Sequence, residues 1–181
     1  QPGRPHEVAG LTVTPKKQMH AGDSYGYRFE GGGRSVVYST DSEHKLEDPR
    51  ETQGFVDFFR AADLVVFDAM YSLADAVSVK ADWGHSSNVV GVELCQLAGA
   101  KHLCMFHHEP AYDDAAIARV LADTRRFEEI TRSGAPLTVS AAPPAVPVTD
   151  TTRADPLTAG ASRVATMRSR ADPSVANDRV L

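Results

Sequence analysis

The sequence predicts an α/β layered domain, with helices packed on a mixed sheet. Three observations lead there. Short β-rich segments arrive first as a meander, wholly apolar runs then alternate with helical stripes, and the character of the text changes at about residue 141. The chain has 181 residues, enough for one ordinary domain and too few for two large ones.

Each element has its own signal. Residues 11–14 read as a short strand, and 25–30 (Tyr-Gly-Tyr-Arg-Phe-Glu) alternate like another. Gly31, Gly32 and Gly33 make a turn into the β-branched strand 35–39. Residues 52–62 place Phe55, Val56, Phe58 and Phe59 at the three- and four-residue spacing of a helix. The apolar run 64–67 is a buried strand, and 86–97 a helix with Ser86 or Ser87 as N-cap. Residues 103–106 form the next buried strand, 113–130 a long helix marked by Ile117, Val120, Leu121 and Ile130, and 137–140 the closing strand. From Ala142 onward the chain has no aromatic residue, and Pro143, Pro144, Pro147, Pro156 and Pro173 interrupt it. Such a stretch buries too little apolar area to offset its ordering entropy. Residues 142–181 are therefore expected to be a disordered tail that contributes nothing to the domain 1–141.

Composition excludes several classes. Hydrophobic residues make up 42% and charged residues 24%, and no apolar run reaches the roughly 20 residues a membrane helix needs. The first residues carry no apolar stretch of the signal-peptide kind. A net charge of -5 disfavours a protein held to nucleic acid by bulk positive charge. It leaves room for an enzyme that grips one phosphate through a metal. Cys95 and Cys104 cannot make a disulfide framework and lack zinc-finger spacing, so a reducing, cytoplasmic setting is the default.

Polar residues gather where strands end, which is where sites assemble in α/β sheets. Asp41 follows the strand 35–39, Asp68 caps 64–67, and His107 and His108 cap 103–106. Singly, each has an ordinary structural explanation: an aspartate after a strand is most often a turn or cap residue. Their joint placement is what points to a site. Gly84-His85-Ser86-Ser87 opens a helix, so His85 is either incidental to a capped turn or an imidazole free to exchange a proton. His20, in Met19-His20-Ala21-Gly22, is loop surface or another ligand. His6, His44 and His102 receive no role.

These segments resemble successive motifs of metallo-β-lactamase-fold hydrolases: His20 with Tyr25-Gly26-Tyr27-Arg28, Tyr38-Ser39-Thr40-Asp41, Phe67-Asp68-Ala69-Met70-Tyr71, Gly84-His85-Ser86 and Phe106-His107-His108-Glu109-Pro110. The resemblance runs over about residues 10–141 and is strongest to the branch of ribonuclease Z and the cyclic-nucleotide and phosphonate-pathway phosphodiesterases. It implies the second half of an αββα layered domain and a two-metal hydrolase. His20, Asp41 and His107 match metal ligands, with Asp41 bridging. Asp68 and His85 match a carboxylate–histidine pair that protonates the leaving group. Imidazole and carboxylate suit zinc in a catalytic site, two ions in an intact member, with manganese as the alternative. A small phosphodiester or an RNA-like substrate would follow; Trp83 and Tyr71 could stack on a base, but packing in the core or a loop is the more ordinary role for both. The oligomeric state is not readable.

One departure is large. The family's His-x-His-x-Asp-His ligand run occurs nowhere in this chain, and the text after residue 141 reads like a shifted frame. The resemblance then implies a fragment, expected to be marginal and poorly soluble, whose alternative function is that of a catalytically incomplete binding or structural module. Convergence of His20, Asp41 and His107, and hydrogen-bond contact between Asp68 and His85, are the geometric expectations.

Overall fold

The computed structural model describes residues 1–72 and 83–143. The expected tail lies outside the described residues apart from Ala142 and Pro143. Among the described residues the strands are β1 (His6–Val8), β2 (Leu11–Lys17), β3 (Tyr25–Gly31), β4 (Arg34–Ser39), β5 (Leu64–Asp68), β6 (His102–Phe106) and β7 (Thr138–Ala141). The helices are α1 (Pro49–Phe59), α2 (Asn88–Ala98) and α3 (Asp114–Thr131). The strands lie in one sheet in sequence order. β1 to β4 pair antiparallel, and β4 to β7 pair parallel. This is the mixed sheet with helices that the alternation predicts. α1 lies in the β4–β5 connection, α2 in the β5–β6 connection and α3 in the β6–β7 connection.

The chain reversals and caps follow local chemistry. Gly31 pairs with Arg34, leaving Gly32 and Gly33 as a two-residue loop with φ of 57° and 72°, the twist a tight hairpin prefers. β1 escapes the sequence reading because its hairpin turns on Ala9 and Gly10, at φ of 51° and 80°. An Ala in the left-handed region gives no compositional warning. α1 begins three residues before the expected 52 because Asp48 accepts the amides of Arg50 and Glu51 and Pro49 opens the first turn. Ser87, one of the two expected caps, accepts the Val90 amide and starts α2.

Strand residues alternate in environment, as a period of two requires. Val37, Val65, Phe67, Leu103, Met105 and Val139 are buried in one cluster with Phe55, Phe58 and Phe59 of α1 and Val92, Leu94 and Cys95 of α2. The opposite face carries Val36, Tyr38, Leu64, Val66, Cys104 and Phe106, all only half-buried. Bidentate bonding of the Arg132 guanidinium by the buried Glu128, which also accepts the Leu137 amide, ties the end of α3 to the start of β7. Among the described residues no helix is long and apolar enough to cross a membrane.

Candidate metal centre

The C-terminal ends of β4, β5 and β6 deliver the chemistry to one place. Asp68 is the last residue of β5 and is fully buried. Its Oδ2 accepts the amides of Asp41 at 2.8 Å and Ser42 at 3.4 Å. Its Oδ1 accepts the amides of Met70 at 3.2 Å and Ser86 at 3.4 Å. Oδ2 also holds Nδ1 of His85 at 2.9 Å. Two successive amides converge on one oxygen because Asp41 adopts a φ of 55°, a nest-like turn suited to an anionic acceptor. Both carboxylate oxygens of Asp68 are thus engaged within the protein.

His85 is thereby fixed. Its Nδ1–H points to Asp68, which leaves Nε2 as the nitrogen able to meet an ion or a substrate. His20 is fixed in the same manner, with Nδ1 donating to the Ala21 carbonyl at 2.8 Å. The His20 and His85 rings lie edge-on at 5.2 Å, and His85 stacks on His107 at 4.8 Å. His107 Nε2 meets Asp41 Oδ1 at 3.2 Å. That contact holds the His107 pKa above the ordinary histidine range, against the opposing effect of burial. His107, like Asp41, sits at a positive φ, 57°. Non-glycine residues in this region cluster where function fixes the backbone. At His108 burial outweighs the hydrogen bond to the Ala142 backbone, and its pKa is lowered.

The five residues singled out from the sequence fall in two overlapping groups, neither of which is the expected triple of His20, Asp41 and His107. Ligand-type atoms of His20, Asp41 and His85 lie within 4.8 Å of one another, as do those of Asp68, His85 and His107. Two features fit a divalent cation. The imidazoles of His20 and His85 each have Nδ1 engaged by an oxygen acceptor, the support that metal-bound histidines usually have. His107 Nδ1 is also buried without a hydrogen-bond partner. The base-stacking role offered to Tyr71 does not fit, because Tyr71 is buried, whereas Trp83 is 62% exposed.

Sequence reasoning missed the role of Gly84. A Cβ built there would lie 2.6 Å from Cδ2 of His20, and the residue has a φ of 83°. Gly84 is thus the floor on which the His20 ring rests, and only the resulting geometry, not the residue type, reveals it. Gly84→Ala is expected to cost about 1–2 kcal/mol through the positive φ and to displace His20. Urea unfolding together with zinc uptake by dialysis checks both. A cavity of about 340 Å³ opens beside His20, lined among others by Lys17, Gln18, Glu43 and Lys45.

Two aspartates and three histidines at the strand ends and neighbouring loops of this mixed sheet make it an α/β layered domain with candidate metal-ligand groups. Residues 1–108 match the family described as the beta-lactamase superfamily domain, and the chain belongs to that metallo-β-lactamase superfamily. Relatives include ribonuclease Z of Brevibacillus brevis, 32% identical over 82 residues, which are 45% of this chain and 23% of that protein. A second is "Probable metallo-hydrolase YhfI" of Bacillus subtilis, 28% identical over 108 residues, 59% of this chain and 40% of that protein. The chain thus spans well under half the length of either. In fold it is similar to the crystal structure of YhfI, with a TM-score of 0.59 at 23% identity, covering 78% of this chain and 51% of that one. Unliganded yeast PDE1 gives 0.54 at 15% identity, covering 78% and 47%.

Proposed function

We propose that the chain carries the bridging-ligand and proton-transfer half of a metal-dependent hydrolase acting on phosphodiester bonds. The observation that supports this best is the buried Asp68 carboxylate holding His85 by Nδ1 while Asp41 and His107 pair beside it. In this reading His20, Asp41 and His107 hold the cation, zinc or else manganese. When bound, such an ion supplies positive charge against the charge that develops on a phosphoryl oxygen.

The chain's own residues do the rest. Asp68 accepts the His85 Nδ1 proton as a hydrogen bond whether the imidazole is neutral or charged, which leaves Nε2 as the nitrogen that gains and loses a proton. Once protonated at Nε2, the same ring can deliver that proton to a departing oxygen, and Asp68 stabilises the charged form meanwhile. The thiols Cys95 and Cys104 are both free, in keeping with a reducing cytoplasmic setting. Ribonuclease Z among the relatives supports an RNA-like or small phosphodiester substrate. Residues 1–141 would form the functional domain, with 142–181 taking no part in the site.

One observation favours the second reading, a metal-binding but catalytically incomplete module. The two ligand triples share His85, so the described residues cannot fill two such sites at once. Zinc content after dialysis, measured beside hydrolysis of bis-para-nitrophenyl phosphate, separates these readings. The hydrolase reading expects His85→Ala to lower turnover about 100-fold or more with zinc content nearly unchanged. Equal loss of both would make His85 a ligand. Zinc binding with no hydrolysis in the unaltered chain would leave the module reading.

A further inference from the structure

Ser42 has no assigned role, yet it bonds to three segments that carry candidate site residues, those of His20, Asp68 and His85. It is fully buried and directly follows Asp41. Its Oγ accepts the amide of Met19, the residue before His20, at 3.1 Å. Its own amide reaches Asp68 Oδ2, the oxygen that holds His85. Its carbonyl accepts the hydroxyl of Ser86, the residue after His85, at 2.8 Å. The neighbouring Glu43 reinforces the same bracket: its amide donates to the Met19 carbonyl at 2.8 Å, and its Oε2 accepts the Gly84 amide at 3.3 Å. The β2–β3 loop has no covalent proximity to the His85 loop, being separated from it by more than sixty positions. These bonds, with the His20–Gly84 contact, are what set the distance between the two imidazoles.

We infer that Ser42 is a positioning residue of the candidate metal centre, whose side-chain hydroxyl fixes His20 against His85 before any ion arrives. The inference rests on the site reading given above. Its physical basis is preorganisation: a ligand held in place needs no ordering at the moment of binding. Groups that orient ligands commonly affect metal affinity by 10- to 100-fold. The hydroxyl is the part that matters, since the amide and carbonyl of residue 42 remain whatever the side chain.

The test compares Ser42→Ala with Ser42→Thr, which keeps the hydroxyl. In the metal-free chain, the nuclear Overhauser contact between the His20 and His85 ring protons is the first readout. It should weaken sharply in Ser42→Ala and persist in Ser42→Thr. Zinc titration by calorimetry is the second, with affinity expected to fall about tenfold in Ser42→Ala and to return in Ser42→Thr. A ring contact unchanged in Ser42→Ala overturns the inference, whatever the zinc result. Loss of the contact in Ser42→Ala, in a chain that binds no zinc even unaltered, sinks the site reading and leaves the bracket standing. Should Ser42→Ala fail to fold, hydrogen exchange at the Met19 amide of the unaltered chain replaces it. Zinc should slow that exchange by the linkage between ligand and bracket, and no slowing overturns the inference.

Discussion

Asp68→Ala is expected to lose roughly 3–5 kcal/mol of stability and to abolish zinc uptake at the same time. The fully buried carboxylate accepts the amides of Asp41, Ser42, Met70 and Ser86 and holds His85. Removing it strands several donors where water cannot reach them all, and each stranded donor costs about 1–3 kcal/mol. Asp68→Asn is expected to do little better. An amide offers one oxygen in place of two, and its NH₂ would face donors whichever way it turns. The backbone turn at Asp41, at a φ of 55°, would lose the acceptor that holds it there. Urea unfolding of both variants, beside zinc dialysis, reads the two effects. A stability change within about 1 kcal/mol in Asp68→Asn would show that the carboxylate does not organise the loops.

Much of this arrangement was legible in the sequence, and the reason is periodicity. The apolar runs that became β5 and β6, and the cap residue Ser87, are local signals that tertiary contacts did not override. Asp41, Asp68 and His107 stood out because each ends such a run. What stayed hidden depends on contacts between loops distant in sequence. Nothing in the residue type of Ser42 or Gly84 distinguishes them from ordinary turn residues. Their importance comes from Met19, Ser86 and His20, which the chain brings to them only on folding. His44 was hidden for another reason: a histidine among polar neighbours reads as surface, and its burial is set by Phe55, Phe59 and Phe67, which arrive from α1 and β5.

That burial makes the domain acid-sensitive. The His44 ring stacks on Phe67 at 5.2 Å and meets Phe55 edge-on at 4.2 Å. Neither of its nitrogens has a hydrogen-bond partner, so protonation would place an uncompensated charge among aromatic rings. Burial, with the nearby Lys16 ammonium adding to it, brings the pKa down to about 3 from an ordinary 6.5. A folded-state pKa below the unfolded one means the unfolded chain binds the proton first as pH falls. The stability held by neutral His44 is therefore complete above about pH 6.5 and is lost progressively from there down to about pH 3. Between pH 7 and 5 the loss amounts to about 2 kcal/mol, at close to 1.4 kcal/mol per pH unit below 6.5.

Other groups act in different windows or with smaller burial. His107, with a raised pKa, contributes stability that is full below 6.5 and lost as pH rises through its folded value, so it adds no slope in the acid range. Asp63, held at about 2, matters only below its ordinary 3.8. His102 and His108 are lowered by burial and share the sign of His44, so the comparison must be made between variants. His44→Leu and His44→Phe should each flatten the decline in unfolding free energy between pH 6.5 and 5, whatever they do to stability at pH 7. His44 lies three residues after Asp41 in the same loop, so zinc affinity should fall over the same pH range in the unaltered chain more steeply than in the variants. Unfolding free energies that decline equally in all three chains would mean that His44 takes up its proton without leaving the aromatic cage, and that the acid sensitivity belongs to other groups.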